Sequence, residues 1–248
     1  MARYFIQLSY DGTNYHGWQV QPNAVTIQST LNNALSTLLR TPIETTGCGR
    51  TDTGVHAKMY YAHFDFPSTI AIDSRLIRSL NGILPMDIAI QQLFQVSDEA
   101  HARFDAVSRQ YEYHITTVKD PFLRQWACYW PYELDIDKMN EACSLLLKQH
   151  DFSCFCKGLT DEQSTICKVT EAKWFSNSNR LIFSITANRF LRNMVRAITG
   201  TLLELGENKL SLDDFISIME SGSRSDAGSS VPAHGLYLTR IEYPFVKQ

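Results

Sequence analysis

No stretch of this 248-residue chain stays apolar over the ~18 residues that a membrane-spanning helix needs. The opening MARYFIQLSYDG has neither the apolar core nor the cleavage site of a signal peptide, and it is not an Arg- and Ser-rich transit sequence. A cytoplasmic protein is therefore expected. Cysteines number only six, and in that compartment they are expected as reduced thiols, not as the disulfide framework of a small secreted domain. Cys154, Cys156 and Cys167 with His150 do not make a zinc site by spacing. Cys-x-Cys is not the usual knuckle, no second knuckle exists, and the H-x-E with P-C-x-x-C pairing of zinc deaminases is missing. No metal is expected. The phosphate loop G-x-x-x-x-G-K-[ST] and the dinucleotide fingerprint G-x-G-x-x-G are also missing, so the chemistry is expected to run without a cofactor. With a net charge of −3 the chain is no general nucleic-acid coat, although a local basic face remains open to it.

What is present is a readable order of elements. Tyr4, Ile6, Leu8 and Tyr10 alternate with polar neighbours, so residues 3–10 are expected as a half-buried strand. Ile27, Leu31, Ala34, Leu35 and Leu38 fall at helical spacing behind a Thr26 N-cap. Strands are expected at 42–48, 58–66 and 87–95, with a short helix opened by Asp73 and ended near Gly82. The second part repeats this order. It has a strand at 108–117, a helix carrying Met139, Ala142, Cys143 and Leu146 behind Asp135 or Asp137, and strands at 166–175 and 181–188 about a turn-rich Ser-Asn-Ser-Asn. A long helix is expected from Arg189 to Leu205, then a short one with a Ser211/Asp214 capping box, then a strand at 235–243. Each half reads β-α-β-β-α-β, the ferredoxin-like order. The expected fold is α+β with two ferredoxin-like halves built on antiparallel sheets. Residues 1–105 would form the N-terminal half and 106–248 the C-terminal half, with an active-site cleft between them.

GRTDTGVH, residues 49–56, holds the first candidate for chemistry, Asp52 beside Arg50. An aspartate next to glycine commonly caps backbone amides in a turn. The Asp-Thr-Gly of aspartic proteases is also spelled here, but that chemistry needs two carboxylates sharing a proton. One copy is present, and a neighbouring arginine would keep it ionised. The third reading is an ionised carboxylate serving as nucleophile or base. On a helix from Arg189, the side chains Arg189, Arg192, Asn193 and Arg196 would share one sector opposite Phe190, Met194 and Ile198. Three arginines at a helix N-terminus oppose the macrodipole unless an anion sits there, and phosphate suits the guanidinium fork. Arg109, Tyr111 and Tyr113 alternate along one strand, as base-stacking groups on a sheet face do.

Six stretches, in order, resemble the TruA family of tRNA pseudouridine synthases along nearly the whole chain. They are YDGTNYHGWQ (10–19), GRTDTGVHA (49–57), NGILPMDIAI (81–90), HARFDAVSRQYEY (101–113), NRFLRNMVRAITG (188–200) and HGLYLTRIEYP (234–244). At DFSCFC (151–156) the family more often has serine where Cys154 stands. The resemblance implies two ferredoxin-like halves, a homodimer, and conversion of uridine to pseudouridine on the 3′ side of the tRNA anticodon arm, at tRNA positions 38–40. It matches Asp52 to the essential aspartate, Arg196 to the arginine that pairs with it, Arg50 to the loop arginine and Tyr111 to the tyrosine on the target base. Arg189, Arg192 and Leu236 complete the expected substrate-binding set. Attack on C1′ and removal of the 2′ hydrogen both remain open to Asp52. The competing class is a tRNA-binding module without chemistry, against which the presence of Asp52 speaks.

Overall fold

In the computed structural model, which describes residues 1–67, 69–158 and 164–246, the chain divides into two compact units. Met1–Val107 and Tyr237–Gln248 form the first, and Ser108–Leu236 the second. The division expected near residue 105 had put the closing strand in the second half; here it groups with the first unit from Tyr237 onward.

The first unit begins with the alternating segment, β1 (Ala2–Tyr10), followed by α1 (Ile27–Leu39), β2 (Thr46–Gly47), β3 (His56–Phe66), α2 (Ser74–Ile83) and β4 (Ile88–Val96). Thr26 caps α1 as expected, in a reciprocal box with Ser29. β1 lies between β4 and β3, antiparallel to both. The other edge of β3 is shared. Its first residues pair in parallel with β9 (Leu236–Glu242), and His63 and Ala62 pair with β2. The parallel β3–β9 pairing makes the sheet mixed, which corrects the antiparallel expectation. β1 is also less half-buried than alternation suggests. Phe5 is fully buried among Tyr61, Phe94, Tyr243 and Phe245.

Two boundaries differ from expectation. Of the strand expected at 42–48, only Thr46–Gly47 forms. Pro42 has no amide to give a ladder, and the amides of Ile43 and Thr45 donate to Ser36 Oγ (2.8 Å) and Asn32 Oδ1 (3.0 Å) of α1. Helix α2 does not end at Gly82 but runs to Ile83. Leu84, extended at φ −70° and ψ 147°, precedes Pro85, and a residue before proline is driven out of the helical region.

The second unit holds β5 (Ser108–Thr116), β6 (Cys128–Tyr129), α3 (Ile136–Leu146), β7 (Val169–Asn177), β8 (Arg180–Ala187), α4 (Met194–Gly206) and α5 (Leu212–Ser221). Strands run β5-β8-β7, antiparallel, with β6 added in parallel to the end of β5. The β7–β8 hairpin turns on Ser178 and Asn179, with Asn177 paired to Arg180 and Ser178 at φ 54°. Asp135 caps α3, and Ser211 with Asp214 forms the capping box of α5. Apolar positions of α3 and α4, among them Met139, Leu146, Ile198 and Leu202, are fully buried. All six cysteines are free thiols, and all are buried. Among the described residues, no helix is long and apolar enough to cross a membrane, and no group of three or more His, Cys, Asp or Glu could hold a metal ion.

Candidate active site

Asp52 sits in the bend between β2 and β3, and side chains and backbone from the end of β1 and the segment after it pin both of its flanks. On the N-terminal flank, Thr51 is nearly buried, and its carbonyl accepts the Trp18 amide at 3.1 Å. The Thr51 hydroxyl bonds the Tyr10 hydroxyl at 2.9 Å. Trp18, Tyr60 and Tyr10 pack into one buried cluster, in which Trp18 and Tyr60 stack with centroids 4.1 Å apart. The Tyr60 hydroxyl donates to the Gly49 carbonyl. A Cβ at Gly17, which has φ +81°, would lie 2.3 Å from the Thr51 oxygen, so only glycine lets the two loops approach this closely. On the C-terminal flank, a turn closes from the Val55 amide to the Asp52 carbonyl at 3.2 Å. A Cβ at Gly12 would lie 2.0 Å from the Val55 oxygen. Asp52 itself is half-buried and Arg50 is exposed. The bonds that tie the loop to its neighbours come from Gly49 and Thr51, while the Asp52 carbonyl closes the turn on Val55.

The arginine segment of the second unit departs from expectation. α4 starts at Met194, not at Arg189. The Arg192 carbonyl, which a helix would give to residue 196, accepts the Lys157 amide instead, at 3.1 Å. Asn193 then takes the left-handed conformation at φ 66° as N-cap, and its side-chain amide donates to Ser230 Oγ. Arg189 and Arg192 therefore lie on the exposed lead-in to the helix, and there is no continuous arginine face. Arg196, in the first turn of α4, donates from Nε to the Val231 carbonyl at 2.7 Å, and the Val231 amide donates back to the Arg196 carbonyl at 3.2 Å. The guanidinium is thereby aimed by a two-way clamp.

Tyr111, half-buried on β5, meets Phe190 edge to face with centroids 5.1 Å apart. Arg109 donates to the Asn188 carbonyl at 2.8 Å, tying β5 to the start of the same segment. Tyr113, two residues on, is fully buried, and its hydroxyl donates to the Pro232 carbonyl at 2.8 Å. Burial pushes its phenol well above the ordinary range, helped by the Cys128 thiol and opposed by Arg196. Tyr113 thus serves packing, and Tyr111 is the tyrosine that meets the 189–196 segment. Leu236 is buried at the start of β9, just after a 3-10 turn at Ala233–Gly235. Of the expected residues, the first unit holds Arg50 and Asp52, and the second holds Tyr111, Arg189, Arg192, Arg196 and Leu236.

A family profile described as tRNA pseudouridine synthase matches residues 142–244. A tRNA pseudouridine synthase A from Porphyromonas gingivalis is 51% identical over 247 residues, covering 98% of either chain. One from Bacteroides fragilis is 50% identical over 98% of this chain and 97% of its own. A more distant one, from Bacillus subtilis, is 41% identical over 95% of this chain and 97% of its own. The chain belongs to the tRNA pseudouridine synthase A family. In this member of the tRNA pseudouridine synthase A family, the GRTDTGVH loop is a single braced unit with YDGTNYHGW. The aromatic count of that second stretch was visible in the sequence, but its purpose was not. Tyr10 and Trp18 reach Thr51 across 41 and 33 positions of chain, and no periodicity links segments so far apart. Sequence reasoning also passed over His56, the last residue of the same motif, which is 2% exposed.

Proposed function

We propose that the chain isomerises uridine to pseudouridine on the 3′ side of the tRNA anticodon arm, with Asp52 as the reacting carboxylate. The observation that carries this reading is the bracing of Thr51 immediately before Asp52. A carboxylate that must meet one sugar carbon needs a backbone that does not drift, since near-attack geometry is lost over about 1 Å. The family membership supplies the reaction. A paired uridine is extruded at a cost of a few kcal/mol, and Tyr111 holds the free base by stacking. Asp52 either attacks C1′ or removes the 2′ hydrogen. The N1–C1′ bond breaks, the uracil turns and C5 bonds to C1′. One proton leaves C5 and one arrives at N1, so the reaction consumes no oxidant and needs no added group.

Arg196 is proposed as the cationic partner of Asp52, a role for which its clamp on Val231 prepares it. Arg50, Arg189 and Arg192 are proposed to meet RNA phosphates, and Leu236 to pack against the substrate. We further read each unit as a ferredoxin-like half. In support, β4-β1-β3 with β2 reproduces the 4-1-3-2 order, and β5-β8-β7 its 1-3-2 part. The working form is proposed to be a cytoplasmic homodimer, which light scattering of the purified chain tests directly.

The deciding experiment follows tritium release from tRNA labelled at uridine C5. Wild type is expected to release it, and Asp52→Asn to release none while still binding tRNA. A wild-type chain that binds tRNA and releases nothing would replace the enzyme with a binding module.

A further inference from the structure

His56 closes the GRTDTGVH motif and is the first residue of β3. It is a titratable ring that none of the proposed steps uses, yet it is 2% exposed. Its Nδ1 lies 3.1 Å from the Gly12 amide nitrogen, whose proton it accepts. One Asp11 carboxylate oxygen lies 3.0 Å from the same nitrogen. That oxygen already takes the Thr13 amide proton at 2.9 Å and the Thr13 hydroxyl at 2.6 Å. Nδ1 thus lies within hydrogen-bond reach of both residues of the Asp11-Gly12 turn. The ring plane is set by Tyr237, with centroids 4.7 Å apart at an interplanar angle of 24°, and Tyr237 is also the strand partner of His56. Lys58 sits 5.3 Å over the other ring of this stack.

The consequence lies at Asp52. Its N-terminal flank is held through Thr51 by Trp18 and Tyr10, and its C-terminal flank runs through Val55 into His56. Gly12 touches that second flank twice. Its bare Cα lies against the Val55 carbonyl, and its amide donates to the His56 ring. We infer that His56 is a positioning residue for the proposed reaction: its Nδ1, within hydrogen-bond reach of Asp11 and Gly12, locks that turn to the C-terminal flank of the Asp52 turn and so fixes where the carboxylate points. The inference rests on the reading of Asp52 as the reacting group.

Two substitutions separate this role from simple packing. His56→Phe keeps the ring and its stacking on Tyr237 but removes Nδ1 and with it the polar contact to the Asp11-Gly12 turn. His56→Asn loses the ring but returns an oxygen near the place of Nδ1. In C5-tritium release, His56→Phe is expected to lower kcat about 10²-fold with KM within about threefold, and His56→Asn to stay within about threefold of wild type in both. Packing as the sole role predicts the reverse order, with Phe tolerated and Asn impaired, and that order would overturn the inference. So would a His56→Phe enzyme with wild-type kcat. If melting shows that His56→Phe does not fold, His56→Asn carries the test alone, and a 10²-fold fall in its kcat rejects the positioning role of Nδ1. A wild-type chain that releases no tritium fails the proposed function itself. A working wild type with an unimpaired His56→Phe fails only this inference.

Discussion

The Asp52 loop and the arginine segment at 189–196 make an instructive pair. Both are short, both hold charged residues, and both were read from sequence by local rules. The first was read as a tight glycine-flanked turn and is one, closed by Val55 on Asp52. The second was read as a helix face and is not. Every side chain from 189 to 205 is compatible with a helix, and the apolar spacing fits 3.6 residues per turn. One backbone bond overrides it, because the Lys157 amide takes the carbonyl that the first turn would need. A turn is decided within four residues. Where a helix begins depends on what else competes for its end groups.

The largest expected effect breaks the braced side of this pair. Gly17→Ala sets a Cβ 2.3 Å from the Thr51 carbonyl oxygen at a φ of +81°. It is expected to cost about 2–3 kcal/mol in urea unfolding and about 10²-fold in kcat. Gly49→Ala is the control, since a Cβ there meets nothing within 4 Å, and its stability should change by less than about 0.5 kcal/mol. Equal losses from the two would mean that the close approach of the loops is not what holds Thr51.

An intermediate effect sharpens the other side. Asn193 has φ 66°, so Asn193→Ala is expected to cost about 1–2 kcal/mol, more than Asn193→Gly, which loses only the Ser230 bond at about 1 kcal/mol. A continuous helix through 193 would invert the order, because alanine beats glycine inside a helix by about 1 kcal/mol. Thermal or urea melts of the two variants decide it. The smallest effect on the fold comes from Arg192→Ala. Its side chain is exposed, and the bond to Lys157 uses only its backbone. Stability should stay within about 0.5 kcal/mol, while the slope of log affinity for tRNA against log salt shallows by about one. An unchanged slope would remove Arg192 from the phosphate contacts.

Elements whose evidence is local were legible. Thr26, Asp73, Asp135 and Ser211 all cap the helices expected of them, because a cap is a bond between a side chain and an amide two or three residues on. The strand at 42–48 was not legible. Its amides go to Ser36 and Asn32, and that choice appears only once α1 lies alongside. The mixed character of the sheets was hidden for the same reason. Parallel pairing of β3 with β9 joins residues 56–57 to 237–238, and no local pattern encodes a partner so far away. Among the residues proposed for the reaction, Asp52 and Arg50 stood out by type and spacing, and Tyr111 by the family resemblance. The bracing of Thr51 by Tyr10 and Trp18, and the burial of His56, did not.

By itself, the amino-acid sequence determined the order of strands and helices, most of their caps, the family and the carboxylate on which the proposed chemistry rests. The order and the caps follow from side-chain type and short-range spacing, and the family and the choice of Asp52 from the resemblance of six ordered stretches. Only the tertiary structure decided that Thr51 is gripped by Trp18 and Tyr10, that Gly12 and Gly17 admit the Asp52 loop, and that α4 begins at Met194. Each of these turns on which distant group reaches a given backbone atom first. Chain folding settles that competition, and the residues at the site do not announce it.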